Sequence, residues 1–497
     1  MCQVYGAMHL DPQEREELYH ALRRDAPRFG EALARAAAAR GLQVTSATDG
    51  TARAIPITAT PVVVEPEEIA SRVELAALLS GATLKMSRWV LGSSRRGLVL
   101  DGLSPMERSL ASATFERLTT LATTRVDFFV GQSVRALEVN ATIPAMQGYS
   151  DIAADTFLEV VGRAWGAHEP LIASWKEKNG SNARALHRAL LAGYRQVRPH
   201  ATPRRIALLC RRNDAQLTEQ RYLAERFTEW GSEAEVVYPD QLAGSDEVRA
   251  NGKVYDLVYR HLFVRRLEEP SMVGAEYVRQ LLSEKNGTRA VVLNPPASQV
   301  EVKAVFALLS LATSDAALAK EAGLDDFELA AITRSVPWTR HFRGDALLRQ
   351  VSAEPDRYVL KRSWDYGGRA VFVGRTRAEP HFADRTQAAY GAVLDWNALC
   401  SRAVEDQRGG GFVVQEVVDT VPEEHVLCSD ATQVTTSLYV DFSAYASVGL
   451  DDRPGWGGVC RGSVSHIVNI VGGGGVLPLV SAEVASSLLM AHRARVR

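Results

Sequence analysis

Two short runs of the sequence, residues 125–130 and 137–140, alternate polar with apolar side chains. Alternation of this kind has the period of a β-strand. If residues 132–133 form a two-residue turn, the two runs pair as a hairpin, and Asp127 then faces Glu138 across the strands. The spacing therefore predicts two acidic side chains held side by side.

Opposed carboxylates on paired strands repel each other, so Asp127 and Glu138 are best stabilised by a cation between them. The same register places Asn140 opposite Arg125, which adds an amide oxygen next to the two acids. Oxygen ligands of this kind suit Mg²⁺, which keeps several waters and shares its other positions with phosphates. The hairpin therefore predicts a metal site. A solvated hairpin face, with a surface ion pair between Arg125 and Asp127, is the alternative.

The length and composition of the chain limit its class. With 497 residues it exceeds the size at which one hydrophobic core stops growing, so about two to four packed units are expected. The net charge of −2 gives no reason to expect a nucleic acid or a membrane surface as a partner. No signal peptide or bilayer-spanning apolar run is evident. The five cysteines form no Cys-x-x-Cys pair, which favours a cytoplasmic location.

The pattern of residues changes three times along the chain. Residues 1–118 are rich in Ala, Leu, Arg and Glu at helical spacing, which predicts a helical N-terminal region. Residues 119–202 contain the hairpin and further helices. Residues 203–298 alternate strand, helix and strand, which is typical of a small parallel α/β domain. Residues 299–497 combine short strands, helices and glycine-rich turns. We therefore expect an α/β protein with some α+β elements.

A strand, a glycine-containing loop and a second strand are predicted for residues 358–374. Lys361, near the end of the first strand, can hold a phosphate as a point charge. Gly367 and Gly368 allow the N–H groups of the loop to approach phosphate oxygens. The loop matches neither the Walker P-loop nor the dinucleotide fingerprint, and a plain hairpin is the alternative. An apolar strand at 412–418 carries two polar residues, as expected where a strand edge meets an adenine ring and a ribose.

Together these motifs resemble the circularly permuted branch of the ATP-grasp ligases, which includes eukaryotic-type glutathione synthetase and the synthetase domain of glutathionylspermidine synthetase. The resemblance runs from about residue 125 to residue 480. In ordinary ATP-grasp enzymes the Glu-x-Asn metal motif follows the ATP lysines. Here the motif, at residues 138–140, precedes Lys303 and Lys361. The resemblance thus implies a circularly permuted ATP-grasp fold with a small parallel α/β substrate domain.

The resemblance also implies a role for each matching residue. The implied metal ligands are Asp127, Glu138, Asn140 and, for a second Mg²⁺, Asp365. The implied ATP contacts are Lys303, Lys361, Gly367, Gly368 and the adenine hinge Gln415, Glu416 and Val417. The implied catalytic arginines are Arg125 and Arg461. The implied substrate contacts are Gln220 and Arg260, for which an exposed helix face and a packed arginine are the respective alternatives.

The activity implied by the resemblance is that of an ATP-dependent carboxylate-amine ligase working through an acyl phosphate. Its cofactors would be ATP and Mg²⁺, and its partners a small-molecule acid and an amine, with a homodimer left open. A small-molecule kinase on the same fold and a nucleotide-binding scaffold protein without turnover remain alternatives. Three departures from glutathione synthetase concern the substrate and the loops: no serine at 141–147, Tyr366 in place of a glycine, and a four-glycine run at 472–475.

Overall fold

The computed structural model describes residues 10–115, 118, 121–365, 367–429, 432–447, 457–470 and 474–496. Contacts between residues divide the chain into two compact units. Unit 1 consists of Met1–Glu74, Ala145–Tyr238 and Pro422–Arg497, and unit 2 of Leu75–Pro144 and Pro239–Val421. Both units are assembled from stretches that are separate in the sequence. The four consecutive parts expected from the sequence stay a prediction.

Helices and strands alternate along the described part of the chain. The α-helices are α1 (Pro12–Ala39), α2 (Pro66–Gly92), α3 (Gly97–Leu100), α4 (Pro105–Thr114), α5 (Gln147–Ala164), α6 (Glu169–Asn179), α7 (Asn182–Val197), α8 (Leu217–Glu229), α9 (Ala275–Ser283), α10 (Ser298–Glu301), α11 (Lys303–Ala312), α12 (Ala316–Glu321), α13 (Asp326–Ser335), α14 (Asp345–Ala353), α15 (Pro380–Tyr390), α16 (Trp396–Glu405) and α17 (Ala482–Val496). The strands are β1 (Gln43–Thr45), β2 (Ala52–Ala54), β3 (Ile57–Thr58), β4 (Val62–Val64), β5 (Thr123–Val130), β6 (Val134–Asn140), β7 (Arg205–Cys210), β8 (Glu233–Val237), β9 (Val248–Ala250), β10 (Lys253–Tyr255), β11 (Leu257–His261), β12 (Val291–Leu293), β13 (Thr339–His341), β14 (Tyr358–Arg362), β15 (Val371–Val373), β16 (Phe412–Glu416), β17 (Glu423–Cys428), β18 (Gln433–Ser447), β19 (Gly458–Ser463), β20 (Gly475–Leu477) and β21 (Leu479–Ser481). In this part of the chain every helix is too short or too polar to span a membrane.

Unit 1 combines α-helices with strands from both ends of the chain. Its strands β17, β3, β20, β19 and β18 lie side by side in that order, and β4 pairs with β21. The N-terminal helix α1 begins after Asp11, whose carboxylate accepts the backbone N–H of Glu14 and so satisfies one of the free donors of the first turn. β7, α8 and β8 form a strand-helix-strand motif with the two strands parallel, as the alternation in this stretch predicts.

Unit 2 contains a four-stranded antiparallel sheet in the order β13, β16, β14, β15. Alternate residues of these strands face a core formed with α14, α15 and α16, and its largest members include Tyr358, Phe372, Trp396 and Phe412. The hairpin of β5 and β6 also belongs to this unit. So do the parallel strands β11 and β12, which precede and follow α9 in the sequence. That the two parallel pairs form one substrate domain stays a prediction.

Candidate active site

The hairpin of β5 and β6 brings together three of the four predicted metal ligands, Asp127, Glu138 and Asn140. Asp127 lies opposite Glu138, and Arg125 lies opposite Asn140, so the register predicted from alternation is confirmed. The predicted two-residue turn is wrong, because three residues, 131–133, separate the strands. A β-bulge next to Asp127 adds one residue to β6 and restores the register that the longer turn would have shifted.

Arg125 and Asp127 form a buried ion pair within this hairpin. The Arg125 Nε donates to Asp127 Oδ1 at 2.7 Å, and a terminal guanidinium nitrogen donates to Oδ2 at 3.1 Å. Both side chains are less than one tenth exposed, so the alternative of a surface pair is wrong. The Asn140 amide also donates to Asp127 Oδ2, at 3.3 Å. Two parallel hydrogen bonds to one carboxylate hold the guanidinium in a defined orientation.

We expect Asp127→Asn to lower the free energy of unfolding by about 3 kcal/mol, because Arg125 would keep its buried charge and lose its carboxylate. The measurement is the urea unfolding midpoint with an unchanged slope. Glu276→Gln is the matched control, since Glu276 forms an exposed pair with Arg279 and exposed pairs contribute little. An Asp127→Asn midpoint equal to that of the control would contradict the prediction.

Lys303 connects the hairpin with the loop between β14 and β15. Its Nζ lies 3.4 Å from Glu138 Oε2 and donates to the backbone carbonyl of Asp365 at 2.9 Å. Its backbone N–H donates to the carbonyl of Ser363 at 2.8 Å. Lys303 is the first residue of α11, and the positive end of the helix dipole there favours a nearby anion. The predicted phosphate lysine and the predicted metal ligand are therefore neighbours.

Lys361 is the second lysine of this cluster. Its Nζ donates to Gln415 Oε1 at 2.7 Å and to the backbone carbonyl of Leu137 at 3.3 Å. The Gln415 amide in turn donates to Thr339 Oγ1 at 3.0 Å. Gln415, predicted as part of an adenine hinge, thus uses its side chain to orient Lys361.

The charges around Lys361 partly oppose one another. The pKa of Lys361 is lowered to about 8, mainly by burial and also by the Lys303 ammonium, while the acidic side chains of Glu138 and Asp127 act in the opposite direction. Two ammonium groups that disfavour each other's charge are both stabilised by an added anion. The cluster of Asp127, Glu138, Lys303 and Lys361, here called the lysine-acid cluster, therefore suits a multivalent anion together with a cation.

The glycine loop, described for residues 363–365 and 367–370 between β14 and β15, lies next to this cluster. Gly367 and Gly368 have φ angles of +70° and +69°, in the left-handed region that favours glycine. An added Cβ at Gly367 would meet no atom within 4 Å, so the backbone conformation, and not a lack of space, requires the glycine. The Asp365 carboxylate lies 3.5 Å from the Arg362 guanidinium. Arg385 donates to the Gly368 carbonyl at 2.6 Å.

Two departures from glutathione synthetase noted in the sequence lie wholly or partly outside the described residues. Tyr366 lies outside them, and the four-glycine run at 472–475 is described only from residue 474. Whether this run closes over a site stays a prediction.

The backbone N–H groups of the predicted adenine hinge are engaged within the chain. The Glu416 N–H donates to the carbonyl of Trp338 at 2.9 Å, and the Val417 N–H donates to the carbonyl of Arg357 at 2.9 Å. The Glu416 carboxylate pairs with the Arg357 guanidinium at 2.8 Å. An adenine at this end of β16 would therefore have to use backbone carbonyl oxygens or the N–H of a later residue.

Arg260 is buried and bonds to the backbone. Its guanidinium donates to the carbonyls of Asn294 at 3.0 Å, Pro295 at 3.2 Å and Thr142 at 3.4 Å, and also to that of Leu262. Burial lowers the pKa of Arg260 to about 10. These contacts agree with the alternative of a packed arginine. A contact with substrate stays a prediction.

Gln220 and Arg461 belong to unit 1. Gln220 is buried on α8, so the alternative of an exposed helix face is wrong. Arg461 lies opposite Asp441 in the antiparallel pair of β18 and β19. Its Nε and its backbone N–H both donate to Asp441 Oδ1, at 3.2 and 3.1 Å. The predicted roles of Gln220 in substrate binding and of Arg461 in catalysis stay predictions.

Sequence reasoning missed one partly buried acid next to the lysine-acid cluster. Glu301, two residues before Lys303, accepts the backbone N–H groups of Ala141 and Thr142. Burial raises its pKa to about 7. The segment that follows Asn140 is thereby tied to the end of α10. A single acid in an otherwise apolar run was the available signal, because a buried carboxylate needs hydrogen-bond donors.

The donor set of the hairpin determines which metal it could hold. Within the described ranges, no three His, Cys, Asp or Glu side chains group as a metal site. The hairpin instead combines two carboxylates, Asp127 and Glu138, with the amide of Asn140. All of these are oxygen donors, and hard oxygen donors in small number fit Mg²⁺, which keeps much of its water. Glu138 is the more exposed of the two acids, and so the better placed to meet an ion.

The fold is similar to that of a glutathione synthetase-like effector from Globodera pallida. The likeness covers 97% of this chain and 100% of that chain, with a TM-score of 0.54 and 12% sequence identity. A second match is a protein from Methylobacillus flagellatus that is proposed to be a γ-glutamylcysteine synthetase. The match covers 84% of this chain and 97% of that chain, with a TM-score of 0.39 and 11% sequence identity. No protein-family model matches the sequence, and no curated protein matches it significantly. The chain therefore has a glutathione synthetase-like fold.

Proposed function

We propose that the protein is an ATP-dependent carboxylate-amine ligase with a circularly permuted ATP-grasp fold. The lysine-acid cluster carries the proposal, because Lys303 lies 3.4 Å from Glu138 and Lys361 is close enough to both to have its pKa changed by them. Paired ammonium groups next to acidic oxygen donors are what a metal-bound nucleotide phosphate requires. The order of the motifs and the glutathione synthetase-like fold support the same function.

In this proposal, residues of unit 2 bind both ATP and Mg²⁺. Lys303 and Lys361 would neutralise phosphate oxygens, and the N–H groups around Gly367 and Gly368 would approach them. The proposed Mg²⁺ ligands are Asp127, Glu138, Asn140 and Asp365. When bound, Mg²⁺ supplies neutralisation of the charge that builds on the transferred phosphoryl group.

The proposed reaction needs positioning and charge and no side-chain nucleophile. The γ-phosphoryl group of ATP passes to a substrate carboxylate, and an amine then attacks the acyl phosphate and releases phosphate. Arg125, oriented by Asp127, is proposed to stabilise the reacting phosphoryl group. The roles of Arg461 in catalysis and of Gln220 and Arg260 in substrate binding rest on the resemblance alone. The small-molecule acid and amine, the cytoplasmic location and a homodimer belong to the same proposal.

Product analysis tests the proposed function against its two alternatives. The protein is incubated with ATP, Mg²⁺ and panels of amino acids, short peptides and polyamines, and ADP and phosphate are measured separately. Release of both products only when an acid and an amine are present supports the ligase. ADP without free phosphate indicates a kinase, and nucleotide binding without either product indicates a scaffold.

We expect γ-glutamylcysteine plus glycine to stimulate no ATP turnover above background. The segment Ile143-Pro144-Ala145-Met146 has no side-chain hydroxyl, and a substrate whose polar groups find no partners is rejected strongly. Release of ADP is measured with this pair, with each component alone, and with the best pair from the panel as the positive control. Glutathione formation at a rate comparable to that of the best pair would contradict the prediction.

A further inference from the structure

The base of the glycine loop is held by a buried carboxylate from a distant part of the sequence. The indole N–H of Trp364 donates to Glu107 Oε2 at 3.0 Å. The side chain of Glu107, on α4, is fully buried, and Trp364 is only 3% exposed. The guanidinium of Arg265 lies 4.8 Å from the Trp364 ring centre, within the range of a cation-π interaction. Trp364 is therefore fixed both at its edge and over its face.

Glu107 has further donors besides the indole. Its carboxylate accepts the backbone N–H of Ser104 at 3.0 Å and the hydroxyl of Ser298 at 3.2 Å, and it lies 3.4 Å from Arg265 Nε. Ser298 begins α10, which leads to Lys303. A buried carboxylate with donors on both oxygens is held in one position. The base of the glycine loop and the start of α10 are thus both hydrogen-bonded to the Glu107 carboxylate.

Backbone hydrogen bonds also hold the base of the glycine loop. The N–H groups of Ser363 and Trp364 donate to the carbonyls of Gly411 and Gly409, both at 2.8 Å. Farther along the loop, Gly367 and Arg369 are exposed. A loop whose base is ordered before binding loses less conformational entropy when its ligand binds.

We propose that Glu107 and Trp364 are positioning residues for nucleotide binding, because they fix the base of the glycine loop before the nucleotide arrives. The inference rests on the proposed function, since the ligand of the loop is the ATP phosphate chain. It also gives α4, part of the N-terminal region that the family resemblance leaves poorly covered, a role at the site. Neither residue touches the nucleotide in this proposal.

Trp364→Phe tests the inference, because it removes the indole N–H and keeps most of the buried ring. The control is Trp396→Phe in the same unit, where a buried indole N–H donates to the carbonyl of Val351 at 3.0 Å. Calorimetry with a non-hydrolysable ATP analogue gives the dissociation constant. Tryptic cleavage after Arg369, which is exposed in the loop, reports how well the loop is held. Glu107→Gln, which keeps the side-chain volume, serves as the second variant if Trp364→Phe does not fold.

We expect Trp364→Phe to bind the analogue about tenfold more weakly than the parent, because the nucleotide must then order a loop base that is no longer held in advance. Cleavage after Arg369 should become faster, whereas Trp396→Phe should change neither quantity. Equal affinity and equal cleavage in the two variants would overturn the inference and leave the proposed function standing. Absence of analogue binding by the parent protein would overturn the proposed function, and the inference with it.

Discussion

Glu138→Gln is expected to lower ATP turnover about 10³-fold, comparable to the loss of one preorganised charge-stabilising group in other enzymes. Glu138 faces Asp127 across the hairpin and lies 3.4 Å from Lys303. The amide keeps the shape of the side chain but removes the negative charge that the proposed Mg²⁺ requires. The measurement is steady-state release of ADP with the acid and amine pair that stimulates turnover most.

The folded state of Glu138→Gln should resemble that of the parent, because Glu138 is more than one third exposed. Its urea midpoint is therefore measured alongside turnover, with the exposed Glu276→Gln as the matched control for an acid replaced by its amide. A Mg²⁺ titration separates a weakened metal site, which higher Mg²⁺ partly rescues, from a lost catalytic group. Turnover within a few times that of the parent at ordinary Mg²⁺ would remove Glu138 from the site.

Lys361→Met is expected to weaken binding of a non-hydrolysable ATP analogue by about 100-fold, because a charge-assisted hydrogen bond to phosphate is lost at a partly buried position. Methionine keeps much of the length of the lysine side chain, so the loss reports the ammonium group. Lys85→Met is the matched control, since Lys85 lies in the same unit but pairs with Glu328 at 2.7 Å. Equal analogue affinity in both variants would contradict a phosphate contact by Lys361.

The lowered pKa of Lys361 leads to a prediction of how nucleotide affinity depends on pH. Burial holds the pKa of Lys361 at about 8 in the free protein. Phosphate binds the ammonium form more tightly, so binding raises this pKa and takes up a proton when the free lysine is neutral. Affinity should therefore fall as the pH rises from about 7 to about 9, by linkage between proton and nucleotide. The fall should be absent in Lys361→Met and present in Lys85→Met.

The sequence by itself determined the local structure of the hairpin. Alternation of polar and apolar residues is a property of the strand backbone, and it predicted the pairs Asp127 with Glu138 and Arg125 with Asn140. The turn was predicted one residue too short, but the burial of one face of the strands requires the register, and a β-bulge accommodates the extra residue. The strand-helix-strand motif of β7, α8 and β8 followed from its periodicity for the same reason.

Only the tertiary structure decided which partner each charged side chain meets. Nothing local predicts that Lys361 bonds to Gln415, 54 residues away, or that Trp364 bonds to Glu107, 257 residues away. Alternation assigns a residue to a face of a strand but not to a partner in another element. The sequence likewise does not show which acceptor the N–H of Glu416 meets. In the structure this N–H donates to the carbonyl of Trp338.

One physical cause explains why the sequence predicted the strand register but not the partners of the charged side chains. Backbone periodicity is set by interactions between residues a few positions apart, so a single sequence displays it directly. Burial and charge pairing depend on which distant segments pack together, and in a low-dielectric interior every charge must find a partner there. The sequence thus determined which chemistry-bearing residues unit 2 contains, and its packing decided that Asp127, Glu138, Lys303 and Lys361 form one cluster.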